Sequence, residues 1–221
     1  MAAEIALLTC QNAPVESLRA DARRNREQII AAARSIFTGG SGLDVPMEEI
    51  ARTARVGVGT LYRRFTDRDA LIKAVLEDNL ARILDETRAA VAEEPTAWQG
   101  LVRLLTASVR MRLSVHLAVY FRHALTDDPD LTEMRSKLLE ALDDLVRTAQ
   151  RDGDLRPDVG TGDVAHLSVL LLQPDLPEAH VRRSAAIMID GLRAAAATRP
   201  LPGTPPRLER HHHGPHMESG T

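Results

Sequence analysis

Apolar residues recur at helical spacing along most of this chain, and Gly and Pro break the pattern at intervals. Ile29, Ile30, Ala33 and Phe37 form an i, i+3, i+4 stripe, the mark of a helix with one buried face. Asn25 and Gln28 stand at capping-box spacing and place the helix start at Asn25. The run "GGSG", residues 39–42, ends it. A short helix follows at about 47–53, with Pro46 near its first turn and Glu48 and Glu49 at its positive end. A second short helix, at about 58–64, begins only a few residues later. Thr66 and Asp69 mark the start of a long helix whose apolar face is Leu71, Ile72, Val75, Leu76, Leu80 and Ile83. Glu94-Pro95 stops it near Glu93, because a residue before proline disfavours the helical region.

Beyond Pro95 the pattern stays helical. "TAWQGLVRLLTASVRMRL" and "SVHLAVYFRHAL" read as one interrupted helix or two. Asp128 and Pro129 supply an N-cap and an N1 proline for a helix that Gly153 ends. Two more helices follow, at about 162–173 and 178–197, separated by "PDLP". No alternating β-pattern reaches convincing length, so the fold class is all-α. The expected organisation is a flexible arm over residues 1–20, a three-helix N-terminal domain over 21–80, a helical domain over 81–198, and a tail over 199–221. The tail is rich in Pro, Gly and His and buries too little apolar surface to offset the entropy of ordering, so disorder is expected there.

Composition narrows the class. The 221 residues are 44% hydrophobic but only 3% aromatic, which suits packed helices better than sheets. No apolar run is long enough to cross a bilayer, and the N-terminus lacks a secretion signal. Cys10 is the one cysteine, which excludes an internal disulfide and a Cys-based metal site and points to a cytoplasmic setting. Charge is uneven. From Arg19 to Lys73 there are 11 Lys+Arg against 7 Asp+Glu, or +4, whereas the rest carries 17 against 24, or −7. A basic segment on an acidic remainder suits one part that faces a polyanion and another that does not.

Residues 47–65, "MEEIARTARVGVGTLYRRF", combine two short helices and a tight turn into a helix-turn-helix. Ile50 and Ala51 face inward, Val56 plugs the turn, and Leu61 and Phe65 hold the second helix against the stripe of residues 29–37. Val58, Gly59, Thr60, Tyr62, Arg63 and Arg64 are left outside, a polar, basic and aromatic surface of the kind a helix needs in a major groove. Gly59 lets the backbone press close, and the amides of the helix start favour an anion. Thr60 and Tyr62 carry hydroxyls for phosphate oxygens. Arg63 and Arg64 suit phosphate, and either can make a bidentate contact to guanine. Arg68 is placed for another phosphate. A nucleotide loop at Gly57 and Gly59 is excluded: it requires a preceding strand and a third glycine, and position 62 is Tyr.

Residues 25–76 resemble the DNA-binding region of the tetracycline-repressor (TetR) family. The likeness rests on Ile36-Phe37, Ile50-Ala51, Val56, Thr60-Leu61-Tyr62, Phe65 and Asp69-Ala70-Leu71, in that order. It implies that the second short helix reads a double-stranded DNA operator and that the fourth helix leads to a helical ligand-binding and dimerisation domain. By the same resemblance Val58, Gly59 and Arg63 neighbour bases, while Thr60, Tyr62, Arg64 and Arg68 contact the backbone. Arg55 departs from the pattern, since it occupies a turn position usually held by Gly: either the turn accommodates its side chain with a positive φ, or Arg55 touches phosphate. The implied protein is a homodimeric regulator, most simply a repressor, released by a small-molecule effector, and not an enzyme.

The C-terminal half resembles the family mainly in its succession of helices. Trp98, Leu105, Val109, Met111, His116, Tyr120, Phe121 and His123 are the candidates for lining a pocket. The competing reading for each is ordinary core or a satisfied histidine. No metal site or cofactor is expected. His211, His212, His213 and His216 lie in the tail and are set aside as adventitious.

Overall fold

The computed structural model describes residues 2–38, 44–111, 128–171 and 177–206. Among these residues the chain forms eight α-helices and no strand, so the all-α class holds. His116, Tyr120, Phe121, His123 and residues 207–221 lie outside the described residues. The chain divides into two compact units, Met1–Asp78 and Asn79–Thr221.

The first helix, α1, runs Ala2–Thr38 and so begins far ahead of Asn25. The stretch expected to be a loose arm continues the helix, and Asn25 lies half-buried inside it. A capping-box pair and an interior i, i+3 pair look alike; the Ala-, Leu-, Glu- and Arg-rich run from Glu16 to Arg24 favours continuation. Helices α2 (Met47–Thr53) and α3 (Val58–Arg64) pack against α1 and each other. Ile29, Ala33 and Phe37 of α1, Ile50 and Ala51 of α2, and Leu61 of α3 are fully enclosed.

Helix α4 spans Arg68–Glu93. Its cap is Asp67 rather than Thr66: Asp67 Oδ1 accepts the Ala70 amide at 2.8 Å, while the Thr66 hydroxyl donates to Asp67 Oδ2 at 3.1 Å. In the first unit, α4 buries Leu71, Ile72, Val75 and Leu76, and its Asp78 pairs with Arg34 of α1.

In the second unit, α5 (Ala97–Met111) packs on α6 (Pro129–Arg151), α7 (Thr161–Leu170) and α8 (Glu178–Leu192). Trp98, Leu101, Leu105, Leu145, Ala149 and Leu155 belong to its core. Gly100 permits the close approach: a Cβ there would stand 3.1 Å from Leu145 and 3.5 Å from the Ala90 carbonyl oxygen. Asp128 caps α6, accepting the Asp130 and Leu131 amides at 3.1 and 3.2 Å, and Gly153 leaves it with φ 79°. At the corner between α4 and α5, Arg103 donates to Glu86, Glu93 and Glu94 at 2.9, 2.8 and 3.1 Å. These three hydrogen bonds raise the arginine pKa and keep it charged.

The chain end departs from expectation. Helix α8 stops at Leu192, and a 3-10 turn, Ala194–Ala196, replaces its last turn. Residues 199–206, expected to be disordered, are docked as a strap. The buried Arg156 grips both oxygens of Asp158 at 2.7 and 2.9 Å and donates to the Arg199 carbonyl at 2.9 Å. The Leu201 amide donates to Asp158 at 2.7 Å. Pro205 and Pro206 lie on Gly160 and Gly162 at the start of α7, where any side chain would collide with them. Hydrogen bonds and two side-chain-free seats hold a segment that has few apolar residues of its own.

Candidate nucleic-acid interface

The turn between α2 and α3 is closed by a Schellman arrangement. The Val56 amide reaches the Ala51 carbonyl at 3.0 Å, and the Arg55 amide reaches that of Arg52 at 3.1 Å. This geometry needs a left-handed residue just past the helix end, and Arg55 supplies it with φ 57°. Val56 follows half-buried. Gly57 then takes the N-cap of α3 in an extended conformation, and its carbonyl accepts the Thr60 and Leu61 amides at 2.8 and 3.1 Å. No side chain caps that helix start.

Leu61 and Phe65 anchor α3 by its inner side, both buried, and the Arg26 guanidinium lies 5.6 Å from the Phe65 ring centre. With those two residues inside, the rest of α3 turns outward. Val58 is 39% exposed and Tyr62 44% exposed. Gly59, Arg63 and Arg64 are exposed, Thr60 is half-exposed, and Arg68 is half-buried at the first position of α4. Arg63 leans back over Thr60, Nη2 to Oγ1 3.5 Å. Between Glu49 and Asp67 the chain carries four arginines and no carboxylate. One of the four, Arg52, is engaged by Glu49 at 3.4 Å. Among the described residues no ion pair forms with Arg63 or Arg64, so the outer side of α3 is a cationic face suited to a phosphate-rich partner.

Nothing within the described part of the unit requires glycine at position 59. A Cβ built on it would meet nothing within 4 Å, and its φ is not positive. Neither packing nor backbone conformation calls for glycine there, although glycine weakens a helix relative to alanine by about 1 kcal/mol.

The proposed pocket residues are spread differently. Trp98 and Leu105 belong to the core of the second unit, where Arg193 stands 4.7 Å from the Trp98 ring centre. Val109 and Met111 lie toward the end of α5. The remaining four fall outside the described residues. An open cleft of about 320 Å³ lies at the α4–α5 corner, lined by residues including Val91, Glu94, Pro95, Asp144, Thr148 and Asp152, and neither Trp98 nor Leu105 is among its lining residues. Among the described residues, no His, Cys, Asp and Glu side chains are grouped to hold a metal, and no helix is long and apolar enough to cross a membrane.

Residues 29–75 match the family model described as bacterial regulatory proteins, tetR family, and residues 88–194 match that of the SbtR-like transcriptional regulator C-terminal domain. A TetR transcription regulatory protein from Mycobacterium vanbaalenii is 34% identical, with 80% of this chain and 99% of that one covered and a TM-score of 0.58. The chain belongs to the TetR family. The TetR regulator SCO0520 from Streptomyces coelicolor is 31% identical, covering 76% of this chain and 98% of its own, with a TM-score of 0.57. The regulator UidR from Escherichia coli K12 is 25% identical over 165 residues, 69% of this chain and 80% of UidR. As a TetR-family transcriptional regulator the protein carries a DNA-binding domain in its N-terminal part and a ligand-binding domain in its C-terminal part. The cationic face of α3 lies within the TetR DNA-binding match.

Proposed function

We propose that this TetR-family regulator is a homodimeric repressor that holds a palindromic operator and releases it when a small molecule binds the C-terminal domain. The observation that carries this reading is the uncompensated arginine face of α3 around Gly59. On that face Val58, Gly59 and Arg63 neighbour base edges while Thr60, Tyr62 and Arg64 hold the phosphates, and Arg68, at the start of α4, reaches another phosphate. Two such heads would meet successive major grooves, with half-sites centred ~34–36 Å apart.

The dimer face is assigned to α7 and α8. Val169 and Leu170 on α7 and Ile187 on α8 are large apolar side chains left in solvent, Leu170 and Ile187 at 60% and 62% exposure. Two helices from each of two copies would bury them in a four-helix packing. In this reading residues 21–80 bind DNA, residues 81–198 bind ligand and partner subunit, and the protein works in the cytoplasm, where the DNA is. The effector is held among residues 96–152 and acts through α4. It can release the operator only by binding the DNA-incompetent conformation better, with a coupling typically of about 1–3 kcal/mol.

A mobility-shift titration on DNA from upstream of its own gene, at stated salt, tests the reading. Saturable binding that prefers a palindrome, by a species of twice the chain mass, is the expected result. Binding without sequence preference would overturn it.

A further inference from the structure

Among residues 19–38 and 44–78 of the N-terminal unit, the large hydrophobic side chains left exposed are Val58 and Tyr62, both on α3. Tyr62 has a hydroxyl to offer a phosphate. Val58 has no polar side-chain atom at all, yet it stands exposed at the first position of the helix that carries Arg63 and Arg64. The residues on either side of it are glycines, and neither is required by the fold. Gly57 has φ −66°, and a Cβ there would meet only Thr60 Oγ1, at an ordinary 3.8 Å. A Cβ on Gly59 would meet nothing. The sequence Gly57-Val58-Gly59 thus builds a bare isopropyl knob with side-chain clearance on both flanks.

What could such a knob recognise in a major groove? The groove walls are phosphate, and most base-edge groups are hydrogen-bond donors and acceptors that an isopropyl group cannot satisfy. The apolar feature of the groove floor is the C5-methyl of thymine. Resting on the DNA-binding reading of α3, we infer that Val58 determines specificity by packing on one thymine methyl in each half-site. The flanking glycines let the backbone come near enough for a side chain this short to reach the floor. Arg63, five residues further on, is left to read a polar edge.

The test uses the full chain and a duplex selected from a random-sequence pool. Each symmetric thymine pair is replaced in turn by deoxyuridine, which keeps every hydrogen-bonding group and removes only the methyl. One pair is expected to be sensitive. Loss of a buried methyl corresponds to about a fourfold weakening per half-site, or roughly fifteenfold for both. Val58→Ile should keep that sensitivity, and Val58→Ser should abolish it while leaving the thermal unfolding transition in place, since the residue is exposed. Sensitivity equal in Val58→Ser and wild type, or no sensitive thymine at all, overturns the inference and leaves the DNA-binding reading intact. If no preferred duplex can be selected, both fall together.

Discussion

Gly162 lies directly under Pro206: a Cβ at Gly162 would overlap the Pro206 carbonyl, and the Pro206 ring carbon Cγ would be 3.1 Å away. Gly162→Ala should therefore lift the strap and lose the Arg156–Arg199 and Leu201–Asp158 hydrogen bonds, destabilising the fold by about 1–2 kcal/mol. Truncation after Thr198 should cost a similar amount. In the truncated chain the same alanine should be neutral or stabilising, because the helix then gains from alanine and nothing is displaced. Denaturant titration of the four chains closes the cycle, and simple additivity would refute the strap contact.

Acid should loosen the same clasp. The Arg156 guanidinium, followed by the Leu201 amide, holds the Asp158 carboxyl down from its ordinary 3.8 to about 2. A depressed carboxyl contributes stability that is complete above its unfolded pKa and disappears as pH falls through the folded one. The contribution should be present above pH 3.8 and decline toward about 2. Asp158→Asn should flatten that part of the stability profile, as read by unfolding midpoints measured between pH 5 and 2.

Arg55 holds the left-handed position of the Schellman turn at φ 57°, where a Cβ costs about 1–2 kcal/mol. Arg55→Gly should stabilise the N-terminal unit by about 1 kcal/mol, part of the relief being offset by the freer unfolded chain. Urea unfolding followed on this unit measures it, and a loss of stability would contradict the turn geometry.

Gly59→Ala should separate fold from function. The open space around Gly59 predicts equal or slightly greater stability, up to about 1 kcal/mol. A methyl forced against DNA at a close approach should weaken operator binding by roughly 1–3 kcal/mol, on the scale of an overpacked contact. Anisotropy titration beside a melting curve reads both.

Tyr62→Phe and Arg63→Ala should fail in different ways. Loss of a phosphate contact at Tyr62 should weaken all duplexes alike, with preference unchanged. Loss of Arg63 should relax preference at one symmetric base pair by roughly 1–3 kcal/mol. A selection experiment on each variant distinguishes them.

The helix-turn-helix was legible because short-range rules decide it. Leu61 and Phe65 had to face in, and their burial left Tyr62, Arg63 and Arg64 outside. The Asp128 cap and the Gly153 exit were readable for the same reason: each is a local hydrogen-bonding or dihedral requirement written in one residue. The start of α1 was not, since Asn25 and Gln28 have the same spacing inside a helix as at its end. Thr66 and Asp67 are neighbours able to cap α4, and only coordinates separate them. The strap was hidden altogether, because its affinity lies in Gly160, Gly162 and Asp158, some 40 residues earlier in the chain and without any local periodic signal. Trp98 and Leu105 lie in the core of the second unit, and a residue type suited to lining a cavity is equally suited to filling a core.

The chain ends α2 and α6 with the same turn, once through Arg55 and once through Gly153. Every arginine codon lies one base from a glycine codon, so the unstrained version at position 55 is a single mutation away. The N-terminal unit therefore sits one step below a more stable neighbour in sequence space, and a directed-evolution experiment selecting only for thermal survival, with no demand for DNA binding, should find that step early.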